Sequence, residues 1–169
     1  LNMLPVGLVA QAAGIASYPT LARLVAQKKM GEMRAVLNQT LKTSVFLGGL
    51  AAAGLSVLSL PVVRIAFQRG NFDAEASVAT AGFLALYALS VPFWAGHQLL
   101  GRGFYAQRRM WVPVGVGSLV TAVAVFIYRG LSTSLGLNGV ALASSISIAL
   151  YSIVLGVLWL RECDDPLVV

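Results

Sequence analysis

Residues 43–67 read TSVFLGGLAAAGLSVLSLPVVRIAF, and Arg64 is the only charged residue among them. A helix needs roughly 20 mainly apolar residues to cross the hydrocarbon core of a bilayer. The stretch meets that length and predicts a transmembrane helix. Four more apolar stretches without an acidic residue lie at about 4–22, 76–100, 112–128 and 138–160. The sequence therefore predicts an all-α, polytopic membrane helix bundle with about five transmembrane helices.

The composition agrees with a membrane protein. Hydrophobic residues make up 58% of the 169 residues and charged residues 11%, against roughly 45–50% and 25% in soluble domains. A soluble domain of this length could not bury five such stretches, because it also needs a polar exterior. The charge of +6 does not indicate nucleic-acid binding, since the sequence has neither a basic run nor basic residues interleaved with aromatic ones.

Basic residues collect in alternate connections between the stretches. Eight flank the ends of spans one, three and five: Arg23, Lys28, Lys29, Arg34, Arg102, Arg108, Arg109 and Arg161. Only Arg64, Arg69 and Arg129 fall on the opposite side. The positive-inside rule places the larger group in the cytoplasm. We therefore expect the chain to start outside and to end in the cytoplasm.

Residues 27–42 form the most amphipathic segment. Their apolar residues recur at helical spacing, at Met30, Met33, Val36, Leu37 and Leu41. This pattern predicts a short helix that lies at the cytoplasmic interface and leads into the second span.

Prolines and small residues predict breaks and contacts in the spans. Pro19 should kink or break the first span, and Pro92 should interrupt the third, because proline has no N–H to donate within a helix. The small residues of 48–54 and 141–147 should allow another helix to approach closely.

The residue types offer no catalytic centre. His97 is the single histidine and Cys163 the single cysteine, so the sequence predicts neither a metal site nor an internal disulfide. There is no phosphate-binding glycine loop and no catalytic triad. The protein is therefore expected not to be an enzyme and to carry no cofactor.

Polar groups near the spans remain as candidates for function. Lys42 leads them, with Asn38 and Gln39 beside it at the start of the second span. A charge within a bilayer costs at least about 2.5–3.5 kcal/mol and commonly faces a cavity. Lys42 could bind an anionic group in such a cavity, or it could snorkel to the interface.

Secondary candidates follow in the second and third connections. Arg69 and Gly70 lie in a short external turn, where Arg69 is expected mainly to stabilise the turn. Arg102, with Gln98 and Tyr105, is expected to anchor the third span at headgroup level, and His97 to be a hydrogen-bonded packing residue.

Five motifs in order resemble the MurJ/MviN family of lipid II flippases, whose superfamily also holds MATE exporters and polysaccharide flippases. They are Leu4-Pro5-Val6-Gly7-Leu8 with Tyr18-Pro19-Thr20-Leu21, Phe67-Gln68-Arg69-Gly70-Asn71-Phe72, Leu86-Tyr87-Ala88-Leu89, Gly103-Phe104-Tyr105-Ala106-Gln107 before Pro113, and Asn138-Gly139-Val140-Ala141-Leu142-Ala143-Ser144-Ser145. The resemblance implies that the chain corresponds to helices eight to twelve of a fourteen-helix transporter, as part of its C-terminal lobe.

The resemblance also implies a function, partners and a location. Family members flip lipid-linked peptidoglycan precursor, carried on undecaprenyl diphosphate, from the cytoplasmic to the outer leaflet of the bacterial inner membrane by alternating access. Lys42 falls where many members carry a basic residue on the ninth helix. The family's Asp-Arg pair on the eighth helix and its N-terminal lobe are expected upstream of this chain. The alternatives are another lipid-linked oligosaccharide or polysaccharide flippase, a MATE-like antiporter, or a non-transporting envelope scaffold.

Overall fold

The computed structural model describes residues 12–67 and 74–164, which form helices and short turns. The first five helices are α1 (Ala12–Ala26), α2 (Met30–Val57), α3 (Ser59–Phe67), α4 (Ala74–Ala88) and α5 (Val91–Ala106). A last helical stretch, Trp111–Asp164, contains non-helical Gly136 with φ 58° and ψ −134°. We treat its two parts as α6 (Trp111–Gly136) and α7 (Asn138–Arg161). No strand occurs among the described residues, and the predicted all-α class is confirmed.

Three of these helices, α2, α6 and α7, are long and apolar enough to cross a membrane. The pair α4 and α5, bent by 40° at its break, passes the same test as a single span. Within residues 12–67 and 74–164 the count is therefore three or four. The predicted span 4–22 lies partly outside these ranges, and α1 is described from Ala12 onward.

The sequence predicts that an interfacial helix ends at residue 42 and a span begins at residue 43. The structure has no helix boundary there. Helix α2 runs without interruption through both segments. A change from polar to apolar side chains alters which solvent the helix surface prefers, but it does not alter the backbone conformation. Residues 32–47 also contain no glycine or proline that would interrupt a helix. The actual break follows at Leu58, because Pro61 has no N–H to donate to the carbonyl of Val57.

The two prolines singled out in the sequence behave differently. The predicted interruption at Pro92 is confirmed, since α4 ends at Ala88 and α5 begins at Val91. Pro19 does not break α1, which is continuous on both sides of it. Pro19 lies on the exposed side of that helix, whereas Leu21 and Leu24 are buried against the other helices and hold it in place.

Helices α6 and α7 form an antiparallel hairpin. The Tyr151 hydroxyl donates to the Pro113 carbonyl at 3.0 Å, and the Tyr128 and Ser144 hydroxyls are 2.6 Å apart. Gly136 supplies the left-handed conformation at the turn, and a side chain at Gly139 would collide with the Leu131 carbonyl. Helix α6 extends past the predicted end at 128, and hydroxyls such as that of Thr133 bond to carbonyls one turn earlier.

Helix α5 lies at the centre of the bundle and packs against α1, α2 and the α6–α7 hairpin. Its glycines permit this approach: a Cβ at Gly96 would lie 2.7 Å from the Ser152 hydroxyl, and one at Gly103 would lie 2.5 Å from Leu37. The main core draws on five helices: Leu21, Leu24, Met33, Leu37, Leu99, Leu100, Phe104, Ala106, Val116, Val120, Leu155 and Trp159. This core fixes the positions of the polar side chains described next.

Two turns at one end of the bundle share the sequence Ala-Gln-basic-basic-Met, at residues 26–30 and 106–110. Lys28 and Arg108 occupy the left-handed region in them, with φ 59° and 61°. In each turn the next residue donates to a carbonyl five residues earlier, Lys29 to Leu24 and Arg109 to Phe104, both at 2.9 Å. This is the Schellman arrangement that ends a helix. The two turns lie at the same end because the last parts of α1 and α5 share one core.

Candidate functional site

Lys42 and Gln39 lie on an exposed face of α2. Both side chains are exposed, and Lys42 makes no hydrogen bond or ion pair with any described residue. Phe46 and Leu50, one and two turns later, are 66% and 57% exposed on the same face. Lys42 therefore stands at the polar end of an apolar surface that the described helices leave uncovered.

Asn38 belongs to the core side of α2 and not to the surface around Lys42. Its Oδ1 accepts a hydrogen bond of 3.1 Å from Nε1 of Trp159, which is 2% exposed. The ring of Trp159 also packs edge-on against Phe104, with centroids 5.5 Å apart. The structure thus separates Asn38 from Gln39 and Lys42, which the sequence analysis had grouped together.

Polar side chains of α5 instead meet around a cavity of about 230 Å³. The residues that line it are His97, Gln98, Gly101, Arg102 and Tyr105 from α5, and Tyr151 from α7. We call this set the α5 cluster. No acidic side chain of the described residues lines it, so its charge is that of Arg102.

His97 is enclosed by aromatic rings. Its centroid lies 4.9 Å from that of Trp94 and 5.2 Å from that of Tyr151. Its Nδ1 is buried without a partner at hydrogen-bonding geometry, although the backbone of Trp94 and Phe93 lies near the ring. His97 therefore packs among aromatic rings with Nδ1 unpaired among the described residues, and its expected role as a hydrogen-bonded packing residue stays a prediction.

Two of the candidates from the sequence fall in a connection that the structure does not describe. Arg69 and Gly70 lie outside the described residues. Tyr151 was missed by the sequence analysis, because it is far from Tyr105 along the chain and carries no local signal. Among residues 12–67 and 74–164 no group of three His, Cys, Asp or Glu side chains could hold a metal ion.

A second cavity of about 420 Å³ lies between α4, α5 and the α6–α7 hairpin. Aromatic rings and hydroxyls line it, among them Tyr87, Trp94, Tyr128 and Ser144. No charged side chain of the described residues contributes to this lining, whereas Arg102 lines the cavity of the α5 cluster.

Broken and bent apolar helices, three or four of them able to cross a membrane within the described residues, define the class: a multi-pass helical membrane protein. The sequence profile of the lipid II flippase MurJ matches residues 1–163. The chain therefore belongs to the lipid II flippase MurJ family.

Individual relatives agree with this assignment. A probable lipid II flippase MurJ of Rhizobium meliloti (strain 1021) is 32% identical over 144 residues, which is 85% of this chain and 27% of the relative. The lipid II flippase MurJ of Thermosipho africanus (strain TCF52B) is 29% identical over 66% of this chain and 23% of its own length. A solved structure of lipid II flippase MurJ in an inward closed conformation is similar with a TM-score of 0.77 and 26% identity, over 90% of this chain and 32% of that one.

The chain spans between about a quarter and a third of the length of these relatives. Its helices therefore correspond to one part of such a transporter.

Proposed function

We propose that this chain forms most of the C-terminal lobe of a transporter that moves lipid II from the cytoplasmic to the outer leaflet by alternating access. The observation that carries the proposal is the match of the MurJ family profile over residues 1–163. The similarity in three dimensions to a MurJ structure supports it. The partners would be the lipid-linked substrate, the bilayer and the N-terminal lobe of the same protein.

The orientation proposed for the lobe follows from its charges. Arg23, Lys28, Arg108 and Arg161 all lie near one end of the bundle, where α1 and α5 end, α6 begins and α7 ends. Positive residues favour the cytoplasmic side. This end is therefore assigned to the cytoplasm, and the α6–α7 turn at Gly136 to the outer side.

Lys42 is proposed to face the transport path, with Gln39 beside it. Its support is an exposed ammonium group without a partner among the described residues. A lysine can bind a diphosphate as a point charge. The exposed Phe46 and Leu50 below it support the competing role, in which Lys42 snorkels from a lipid-facing surface.

Growth of flippase-depleted cells tests both the function and Lys42. The full-length protein should restore growth, and Lys42→Glu should abolish the rescue because it reverses the charge that meets the substrate. Lys42→Gln serves as the neutral comparison, and the membrane level of each variant serves as the folding control.

Two results would contradict these proposals separately. If the wild-type protein reaches the membrane but fails to restore growth, the lipid II function is wrong. If the wild type restores growth and Lys42→Glu does so equally well, Lys42 does not face the transport path.

A further inference from the structure

Arg102 lies between two cavities that open on different helices. The cavity of the α5 cluster is on one side of it. A separate groove of about 440 Å³ is lined by Ile15, Tyr18 and Pro19 of α1 together with Arg102. Arg102 is thus a lining residue of both spaces, and residues of α1 line one of them.

The guanidinium group has no counter-charge within residues 12–67 and 74–164. Arg102 is partly buried, and it makes no hydrogen bond or ion pair with any described residue. No acidic side chain of the part of the chain that the structure describes lines either cavity. An ionisable residue within a membrane segment commonly marks a path for a ligand. An anionic ligand would supply the counter-charge that Arg102 lacks.

The groups beside Arg102 are hydrogen-bond donors, which suit an oxyanion and not a metal cation. Gln98 offers an amide N–H₂ group and Tyr105 a hydroxyl, and both line the cavity beside Arg102. Arginine binds phosphate oxygens through parallel N–H donors. A volume of about 230 Å³ is several times the roughly 30 Å³ share of one water molecule, which leaves room for a phosphate group.

Arg102 lies close to the end of the bundle that carries the two basic turns. Arg102 lies one helical turn before Ala106, the last residue of α5, which corresponds to about 6 Å along the axis. The basic turn at 107–110 follows directly. Arg102 is therefore placed near the headgroup level of the leaflet to which this end of the bundle is assigned.

We propose that Arg102, with Gln98 and Tyr105, forms a loading site between α1 and α5 for the diphosphate of the lipid-linked substrate, before that substrate reaches the transport path. The proposal rests on the lipid II function proposed above. The groove beside Tyr18 and Pro19 would receive the adjoining part of the lipid. Both a polyprenyl diphosphate and an ordinary phospholipid carry a phosphate ester that could bind here. We assign the site to the polyprenyl diphosphate.

Photocrosslinking at the groove provides a local test in the full-length protein. A benzoylphenylalanine in place of Tyr18, which is 40% exposed in the groove, should crosslink to a labelled polyprenyl diphosphate in phosphatidylcholine nanodiscs. Arg102→Gln should weaken the binding behind this crosslink about ten-fold or more, the usual effect of losing a charged hydrogen-bond donor. Arg102→Lys should retain part of it.

Matched controls separate this site from general charge and from lipid contact. Arg161→Gln removes an exposed positive charge near the same end of the bundle and should leave the crosslink unchanged. A labelled polyprenol without phosphate should crosslink weakly and without dependence on Arg102. An equal yield in Arg102 and Arg102→Gln proteins, or an equal yield for polyprenol, would overturn the proposal.

The source of the phosphate is decided by competition. Adding phosphatidylglycerol to the nanodiscs should leave most of the crosslink intact. If phosphatidylglycerol abolishes it, the site holds ordinary phospholipid and the assignment to the carrier is overturned. If the unmodified wild-type protein restores growth, the lipid II function stands even when phosphatidylglycerol abolishes the crosslink. Only the loading site is then overturned.

Discussion

Asn38 and Gln39 are neighbours in the sequence with opposite surroundings. Asn38 accepts the hydrogen bond of the buried Trp159 indole, whereas Gln39 is exposed. A helix turns by about 100° per residue, so adjacent polar residues need not share a role. The position of Trp159 on α7 decides that Asn38 is held as a packing residue.

Replacing Asn38 tests this at the scale of one hydrogen bond. Asn38→Leu leaves the Trp159 N–H buried without an acceptor, which should lower the free energy of unfolding by about 1–3 kcal/mol. The measurement is the thermal unfolding midpoint of the full-length protein in detergent, with Gln39→Leu as the control. Equal midpoints for the two variants, with transport lost only in Asn38→Leu, would assign Asn38 to the substrate instead.

At the scale of helices, α2 and α5 approach each other through glycine. A Cβ at Gly48 would lie 3.2 Å from Cα of Pro92, whereas one at Gly49 would meet nothing within 4 Å. The obstacle at Gly48 is backbone, which cannot move aside as a flexible side chain can. The strip of small residues predicted at 48–54 thus makes its close contact at one glycine of that pair.

This asymmetry predicts different outcomes for two adjacent substitutions. Gly49→Ala should be neutral or stabilising, because alanine favours a helix by up to about 1 kcal/mol over glycine. Gly48→Ala should destabilise the protein relative to Gly49→Ala by about 1–3 kcal/mol, the usual cost of overpacking. Unfolding midpoints of the two variants provide the comparison. If Gly48→Ala is as stable as Gly49→Ala, the helices are not held this closely.

For the whole molecule, the two basic turns and the α6–α7 hairpin turn mark opposite ends of the bundle. Gln27 and Met110 are exposed at the basic turns, and Ser134 is exposed beside Gly136. The proposed orientation places the first two in the cytoplasm and the third outside.

Single cysteines at these positions test the orientation. In a full-length Cys163→Ser protein without other cysteines, an impermeant maleimide should label Ser134→Cys in intact spheroplasts. It should label Gln27→Cys and Met110→Cys only after permeabilisation, because the bilayer shields the cytoplasmic side. Labelling of Gln27→Cys in intact spheroplasts would reverse the assignment.

Much of this architecture could be predicted from hydropathy and proline. Long apolar runs identify the helices because an unpaired backbone is unfavourable in lipid, and the break before Pro92 follows from its missing N–H. The break before Pro61, the continuity of α2 through Lys42 and the extension of α6 to Gly136 were not predicted. Hydropathy reports the surrounding solvent, whereas these features depend on local backbone hydrogen bonds.

The sequence alone determined the helical membrane class, its charge asymmetry and the motifs that resemble the flippase family. These properties are carried by composition and by residues close together in the chain. The tertiary structure decided which polar groups meet: it turned Asn38 toward Trp159, placed Tyr151 beside His97 and put Arg102 between α1 and α5. Such pairings depend on how helices distant in sequence pack, and no periodicity within one helix encodes its partner.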